Sequence, residues 1–161
     1  MQSFRDPFLL IDAVKIGDIQ TVIKCVAAKV EIDSVNEEGW NALHFASQMW
    51  NTEIVALLLA NNANPNYRLD NLQTPLMSAT VTLLVPERDM TNIDPFHQTV
   101  KLLIAAGADI TLKKDTNHTI LYYASKYNIP SLVTILLAYD VPKPEFLDYQ
   151  DNDGFTALHE A

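Results

Sequence analysis

Residues 39–64 read GWNALHFASQMWNTEIVALLLANNAN, a stretch that contains a turn, two short apolar segments and a polar end. Its segment 41–46 returns in similar form at 74–79, 119–124 and 156–161, with leucine in the third position each time. These leucines lie at 43, 76, 121 and 158, and Leu10 lies one further 33-residue step upstream. A period of this size predicts stacked supersecondary units rather than one globular core.

Composition narrows the possible partners. Hydrophobic residues make up 48% of the 161, enough to bury a substantial core. Lys plus Arg number 11 and Asp plus Glu number 20, which gives a formal charge of −9. Because no surplus of positive charge is available to neutralise phosphates, we expect neither nucleic acid nor an anionic membrane as the main partner. The charge favours a protein with a neutral or basic contact surface.

The single cysteine, Cys25, cannot form a disulfide within the chain, which is typical of a reducing compartment. It falls in an apolar helical stretch, so we expect an inert buried thiol. Residues 1–7 are charged and contain a proline, unlike a signal peptide, and no apolar run approaches the roughly 20 residues of a membrane span. We therefore expect an intracellular, cytoplasmic protein without a membrane span.

Each unit is predicted to contain a turn, two helices and a loop. Gly39 suits a turn with positive φ, and Asn41 suits the N-cap of a first helix. A second helix is predicted over Thr52–Ala60, and Asn61–Asn62 suits a left-handed C-cap. Similar second-helix patterns recur in 22–26, 100–104 and 132–137. Because one such pair cannot bury its own apolar face, neighbouring units must stack.

The order of Gly39, Asn41-Ala42-Leu43-His44, Ala46 and the apolar second helix resembles the ankyrin repeat, as do segments 74–76, 102–109 and 151–159. The resemblance covers nearly the whole chain. It implies an all-α repeat solenoid of helix-turn-helix units with β-turn fingers, in a single domain over 1–161. The predicted units are a degenerate N-terminal capping repeat (6–35), a repeat (36–69), a repeat with an insertion (70–114), a repeat with a short loop insertion (115–150), and the start of a truncated repeat (151–161).

Two steps exceed the period. Leu76 and Leu121 are 45 residues apart, and the excess is predicted at about 84–97, where Pro86 and Pro95 would break a helix. This insertion is either a tolerated surface loop or a loop that contacts a partner. Leu121 and Leu158 are 37 residues apart, and the excess is predicted in the proline-rich segment 142–145.

Three residues depart from the family pattern. Trp50 stands where the family usually has glycine between helices, and we expect it to pack under the insertion rather than contact a ligand. Leu69 and Leu72 replace the usual Asp and Gly of the second finger. The chain stops at Ala161 within a predicted first helix, so we expect a longer protein with more repeats or another domain.

No catalytic constellation is visible. The resemblance implies a structural hydrogen-bonding role for His44 and His159, while His97 and His118 lie in the insertion and beside a fingertip. No two histidines have the spacing of a helical zinc pair, and there is no phosphate-binding glycine loop. The acidic 151–154 segment begins like a calcium loop but lacks the bidentate glutamate. We therefore expect no enzyme activity, no cofactor and no metal in these residues.

The family generally binds proteins through its fingers and the concave groove lined by its first helices. Carried over to this chain, that surface has acidic or amide fingertips and deeper aromatic residues, a composition typical of protein interfaces. For Trp40 and Tyr127 binding and packing are both open, whereas packing is favoured for Phe155. The candidate protein-binding residues are Glu37, Glu38, Trp40, Gln48, Met49, Asp70, Asn71, Gln73, Val81, Thr82, Asp115, Thr116, His118, Lys126, Tyr127, Asn152, Asp153 and Phe155.

The leading functional hypothesis is a non-catalytic, monomeric module for protein–protein interaction. A second hypothesis is the targeting region of a larger enzyme, such as a signalling enzyme or a bacterial effector acting in the host cytosol. A third is a substrate for asparagine hydroxylation, which some ankyrin loops undergo, at Asn66. The sequence beyond Ala161 would distinguish the first two.

Overall fold

The computed structural model describes residues 3–81, 93–139, 148–154 and 156–157, with backbone only at Val81. These ranges contain eight α-helices and isolated bridges but no strand. The all-α prediction is therefore confirmed. The helices are α1 (Pro7–Ile16), α2 (Ile19–Ala27), α3 (Ala42–Gln48), α4 (Thr52–Ala60), α5 (Pro75–Val81), α6 (Asp94–Ala105), α7 (Ile120–Lys126) and α8 (Pro130–Leu137).

Side-chain caps fix where several of these helices begin. Asn41 caps α3 as predicted, because its Oδ1 accepts a hydrogen bond of 3.0 Å from the backbone N–H of His44. Thr119 caps α7 in the same way, and Asn51 caps α4. Each side chain satisfies one N–H that the helix itself leaves without a partner.

Left-handed backbone conformations mark the ends of the elements. Gly39 has φ 80°, and Asn62 has φ 66° at the end of α4, both as predicted. All ten described residues with positive φ fall at three positions of the repeat. They are Gly17, Trp50 and Asn128 between the helices of a unit; Lys29, Asn62 and Gly107 after the second helix; and Gly39, Leu72, Asn117 and Gly154 at the fingers.

The helices form two layers. In the first layer α1, α3, α5 and α7 pack side by side in chain order, and in the second α2 packs on α4 and α4 on α6. Within a unit, each first helix packs against the second helix that follows it. This order matches the stacked pairs predicted from the 33-residue period.

The core runs through the stack between the two layers. Leu10, Leu43, Leu76 and Leu121, the leucines that define the period, are all buried. A second row, Ala13, Ala46, Ala79 and Ala124, is also buried and lets the first helices approach closely. Cys25 belongs to this core, and burial raises the pKa of its thiol, in agreement with an inert role.

Trp50 joins two units. Its side chain is buried, and its indole N–H donates a hydrogen bond of 2.7 Å to the carbonyl oxygen of Ala79. Its ring centroid lies 5.3 Å from that of Phe96. Phe96 lies within 84–97 but belongs to α6, so Trp50 contacts the helical end of that segment, and its packing under the rest of the insertion stays a prediction. The packing and the hydrogen bond offset the strain of φ 56° in a bulky residue.

Part of the segment that was predicted as an insertion is helical. Helix α6 begins at Asp94, so the last four residues of 84–97 are helical. Pro95 does not break the helix, because it lies in the first turn, where the missing N–H leaves no bond unmade. The remainder of that insertion, and the proline-rich segment 142–145, lie outside the described residues.

The second helix of the first unit is polar at two positions where the second helix of the next unit is apolar. Thr21 and exposed Lys24 in α2 occupy the positions of buried Ile54 and half-buried Leu57 in α4, one period later. Polar residues at these positions suit the end of a stack. They support the interpretation of 6–35 as a capping repeat, whose boundaries stay a prediction.

We expect Thr99→Val to stabilise the fold by about 1 kcal/mol. Thr99 is fully buried in α6, and its Oγ1 has no hydrogen-bond partner among the described residues. Valine keeps the branched shape and removes the polar atom. Urea unfolding measures the change. The matched control is Thr119→Val, which removes the α7 cap and should destabilise by a similar amount. A loss of stability in Thr99→Val would contradict the prediction.

Candidate functional site

The fingers share one turn geometry. In each, the residue with positive φ donates its backbone N–H to a carbonyl oxygen three residues earlier, over 2.8–3.1 Å. Leu72 makes this bond to Leu69, so two leucines support the same turn that Gly39 and Gly154 make elsewhere. The finger fold therefore tolerates the leucines that replace the family's residues.

Side chains also link the loops that follow the second helices of neighbouring units. Asp33 accepts bonds of 3.1 and 3.2 Å from the backbone N–H of Asn64. One period later, Asn66 Oδ1 accepts a bond of 2.7 Å from the N–H of Asp109, and Asn66 Nδ2 donates to the carbonyl oxygen of Gly107. Both ends of the Asn66 amide thus hold neighbouring loops together, which gives this residue a structural role.

An aromatic group lies beside the first finger. The Trp40 ring centroid is 5.1 Å from that of Phe45 and 5.8 Å from that of His44. Trp40 and Phe45 are half-buried, so each presents part of its ring to solvent. The ammonium of Lys15 lies 5.3 Å from the Phe45 ring centroid, within cation–π range.

A second aromatic group lies beside the third finger. The His118 and Tyr122 rings stack with centroids 3.7 Å apart, and Tyr123 stacks on Tyr127 at 6.1 Å. Burial, with help from neighbouring Tyr127, raises the pKa of Tyr123 to about 12. Lys126 Nζ donates to the Tyr122 hydroxyl over 3.2 Å. The Tyr123 phenol is therefore neutral at physiological pH.

The two aromatic groups are separated by a buried segment. Every residue from Gln73 to Thr80 is buried. Gln73 was predicted to contact a partner, but its side-chain amide donates to Ser78 Oγ over 2.8 Å and its carbonyl oxygen lies 3.3 Å from His44 Nε2. Gln73 is therefore a packing residue between two units, not part of the exposed surface.

The other candidates are placed as follows. Most fingertip residues are exposed, and those on the first helices are half-buried or exposed. Val81 lies at the end of α5 without a described side chain, and Thr82 and Phe155 lie outside the described residues. Exposed are Glu37, Glu38, Met49, Asp70, Asp115, Thr116, Lys126, Asn152 and Asp153, and half-buried are Trp40, Gln48, Asn71, His118 and Tyr127.

Sequence reasoning missed four residues of the same face. Lys15 and Ile16 lie one period before the candidates Gln48 and Met49, and Phe45 and Tyr123 occupy equivalent positions of α3 and α7. The 33-residue offset could have identified Lys15 and Ile16 once the first unit was treated as part of the surface.

The fingertip carboxylates carry unneutralised charge. Within the described ranges, Glu37, Glu38 and Asp70 form no ion pair. Further along, His118 Nε2 lies 3.5 Å from Asp151 Oδ2, which joins the third finger to the fourth. The rim of the first two fingers is therefore available to a positively charged group.

No metal site was found among the described residues, where no three His, Cys, Asp or Glu side chains cluster suitably. His97 Nε2 lies 2.7 Å from Ser131 Oγ, between α6 and α8. Asp151 Oδ1 accepts from the N–H of Asp153, as in an ordinary turn. Of the described helices, none is both long and apolar enough to cross a bilayer.

Helix pairs in two layers, joined by fingers of constant geometry, define the class of protein. The family model for ankyrin repeats, in three copies, matches residues 10–94 and 90–161. The chain belongs to the ankyrin repeat family, as the sequence motifs predicted.

Several longer proteins are similar to this chain. Ankyrin repeat, SAM and basic leucine zipper domain-containing protein 1 of Dasypus novemcinctus is 30% identical over 79% of the chain. The putative palmitoyltransferase ZDHHC13 of Danio rerio is 26% identical over 77%. A putative ankyrin repeat-containing protein of Treponema pallidum (strain Nichols) is 29% identical over 77%. The matches span 25%, 23% and 38% of these relatives, respectively.

We expect His44 to make folding stability depend on pH. Burial lowers the pKa of this ring from 6.5 to about 4, although the carbonyl oxygen of Gln73 opposes the shift. Between these values the unfolded chain binds a proton that the folded chain does not, so stability falls as pH falls. The loss from pH 7 to pH 5 should be about 2 kcal/mol.

Urea unfolding of the wild type and of His44→Gln at both pH values isolates this contribution, because other titrating groups are common to both proteins. The wild type should lose more stability than the variant on acidification. An equal loss in the two proteins would show that His44 is not the responsible group.

Proposed function

We propose that this chain is a non-catalytic module that binds a partner protein through its fingertips and the exposed side of its first helices. The observation that carries the proposal is the partial exposure of Trp40 and Tyr127 on that side, next to acidic fingertips. Half-exposed aromatic rings in a rigid setting are typical anchors of protein interfaces.

Rigidity supports this function. The fingers are linked by hydrogen bonds such as Asn117 Nδ2 to the carbonyl oxygen of Gln150 (2.6 Å) and the N–H of Asp115 to the carbonyl oxygen of Asn71 (3.1 Å). A surface that is ordered before binding loses little conformational entropy when the partner arrives. The module would therefore act by presenting fixed side chains rather than by changing shape.

The partner is expected to carry a neutral or basic contact surface. The formal charge of −9 and the exposed carboxylates at Glu37, Glu38 and Asp70 support this choice. Charges of this kind accelerate association with a cationic partner and disfavour an anionic one. Asp115 and Asp153 extend the acidic rim toward the fourth finger.

A second candidate function is recruitment of substrates for an enzyme within a longer chain. Its support is the similarity to the putative palmitoyltransferase ZDHHC13, of which this chain matches 23%. In that case binding would serve catalysis elsewhere in the protein. The gene sequence after the codon for Ala161 tests this function: a catalytic domain there would support it, and only further repeats would contradict it.

We expect Trp40→Ala combined with Tyr127→Ala to weaken binding of the native partner by roughly tenfold or more while the stack stays folded. The loss follows from removal of both aromatic anchors. The partner is first captured from an extract of the source cells with the wild-type chain and identified by mass spectrometry, and its affinity for both proteins is then measured by calorimetry.

Tyr139→Ala is the matched control, since Tyr139 is a half-buried tyrosine that follows α8 and lies off the proposed surface. Circular dichroism verifies that all variants keep their helices. Unchanged affinity in the double variant, or an equal loss in the control, would refute the assignment of this surface.

A further inference from the structure

The exposed side of α1 has an unusual composition for the end of a repeat stack. Phe8, Asp12, Lys15 and Ile16 are all exposed and follow the spacing of one helical face. Ile16 is 78% exposed, and Met49, at the equivalent position of the next unit, is 39% exposed. Because α1 packs directly against α3, these two side chains form neighbouring apolar positions at the C-terminal ends of the two helices.

The opposite end of α1 meets the first finger. A surface depression of about 210 Å³ is lined there by Phe8, Asn36, Glu37 and Glu38. It is smaller than the roughly 300–1,000 Å³ of pockets that hold drug-sized ligands. The depression is bordered by Phe8, which is 52% exposed, and by the carboxylates of Glu37 and Glu38. Neither carboxylate forms an ion pair in the described ranges. This combination suits the head of one arginine or lysine side chain.

The charges along the face agree with such an occupant. Asp12, Glu37 and Glu38 contribute three negative charges, while Lys15 contributes one positive charge and holds its ammonium over the Phe45 ring. A surface with net negative charge and an exposed aromatic ring at Phe8 favours binding of a cationic peptide over a neutral or acidic one.

We propose that the α1–α3 face binds a polypeptide segment that carries a basic side chain and an apolar side chain about 12 Å apart. The basic side chain enters the depression at Phe8, Glu37 and Glu38, and the apolar side chain packs on Ile16 and Met49. The spacing follows from the eight residue steps from Phe8 to Ile16, at about 1.5 Å per step along a helix. An extended segment, at about 3.3 Å per residue, would place the two side chains about four positions apart.

This inference rests on the proposed function and makes it specific. The general proposal requires only that the first-helix side binds a protein, including through the third finger. The specific one assigns the contact to the first two units and states which residues the partner presents there.

The test uses the 161-residue chain and a phage library of random 12-residue peptides. Selected peptides should be enriched in Arg or Lys about four positions from Leu, Ile, Met or Phe. A synthetic, fluorescein-labelled copy of the most enriched peptide is then titrated with the chain, and fluorescence anisotropy gives the dissociation constant. We expect Glu37→Lys with Glu38→Lys, and separately Ile16→Asp with Met49→Asp, each to weaken binding by roughly tenfold.

Matched controls place the same chemical changes elsewhere on the surface. Glu31→Lys with Glu53→Lys reverses two exposed carboxylates off the proposed surface, in the loop after α2 and on α4, and Ile23→Asp alters a 43% exposed apolar residue on α2. Each should change affinity by less than about twofold. Circular dichroism must show native helicity for every variant that enters the comparison, and Ile16→Ser with Met49→Ser replaces the aspartates if they unfold the chain.

Failure to select any peptide, or selection of peptides without a basic residue, would overturn the inference. So would an equal loss in the controls. Peptides that bind through Tyr127 and the third finger would overturn it while leaving the general proposal intact. The same conclusion would follow if the Trp40→Ala, Tyr127→Ala variant lost peptide binding while the variants at Glu37 and Glu38 and at Ile16 and Met49 kept it.

Discussion

Close approach of the first helices at a row of buried alanines is the contact on which the rest of the stack depends. Ala13, Ala46, Ala79 and Ala124 lie at one position of successive units and are all buried. Their small side chains bring neighbouring helices near enough for the leucine row to pack between the layers. A larger side chain in this row would separate the units, and with them the fingers. The spacing of the fingertips, and so the geometry of any binding surface, follows from this packing.

Two residues that depart from the family pattern are accommodated because a contact with a neighbouring residue compensates for their backbone strain. Trp50 occupies a left-handed position that glycine fills at Gly17, and its strain is offset by burial and by the bond to Ala79. Leu72 keeps the finger turn despite its Cβ, because the bond to Leu69 holds the turn closed. In both cases the neighbouring units fix the backbone, which local preferences alone would not do.

Much of the architecture could be predicted from periodicity, because the apolar and turn positions of each unit repeat at a fixed offset. The prediction was less accurate where one residue type is compatible with two structural environments. Pro95 suggested a break, yet a proline in the first turn also starts a helix. Gln73 suggested an exposed fingertip, yet an amide can equally satisfy buried partners such as Ser78. Which of the two applies depends on the surroundings of the residue.

The sequence by itself determined the family, the order of the helices, caps such as Asn41 and glycine turns such as Gly39, since these depend on local chemistry and on the repeat period. Only the tertiary structure decided which side chains remain exposed. It buried residues 73–80 of the third unit and exposed Phe8 and Ile16 in the first. The reason is physical: exposure depends on the neighbours that stacking brings together, and residues at equivalent positions of the repeat meet different neighbours in each unit.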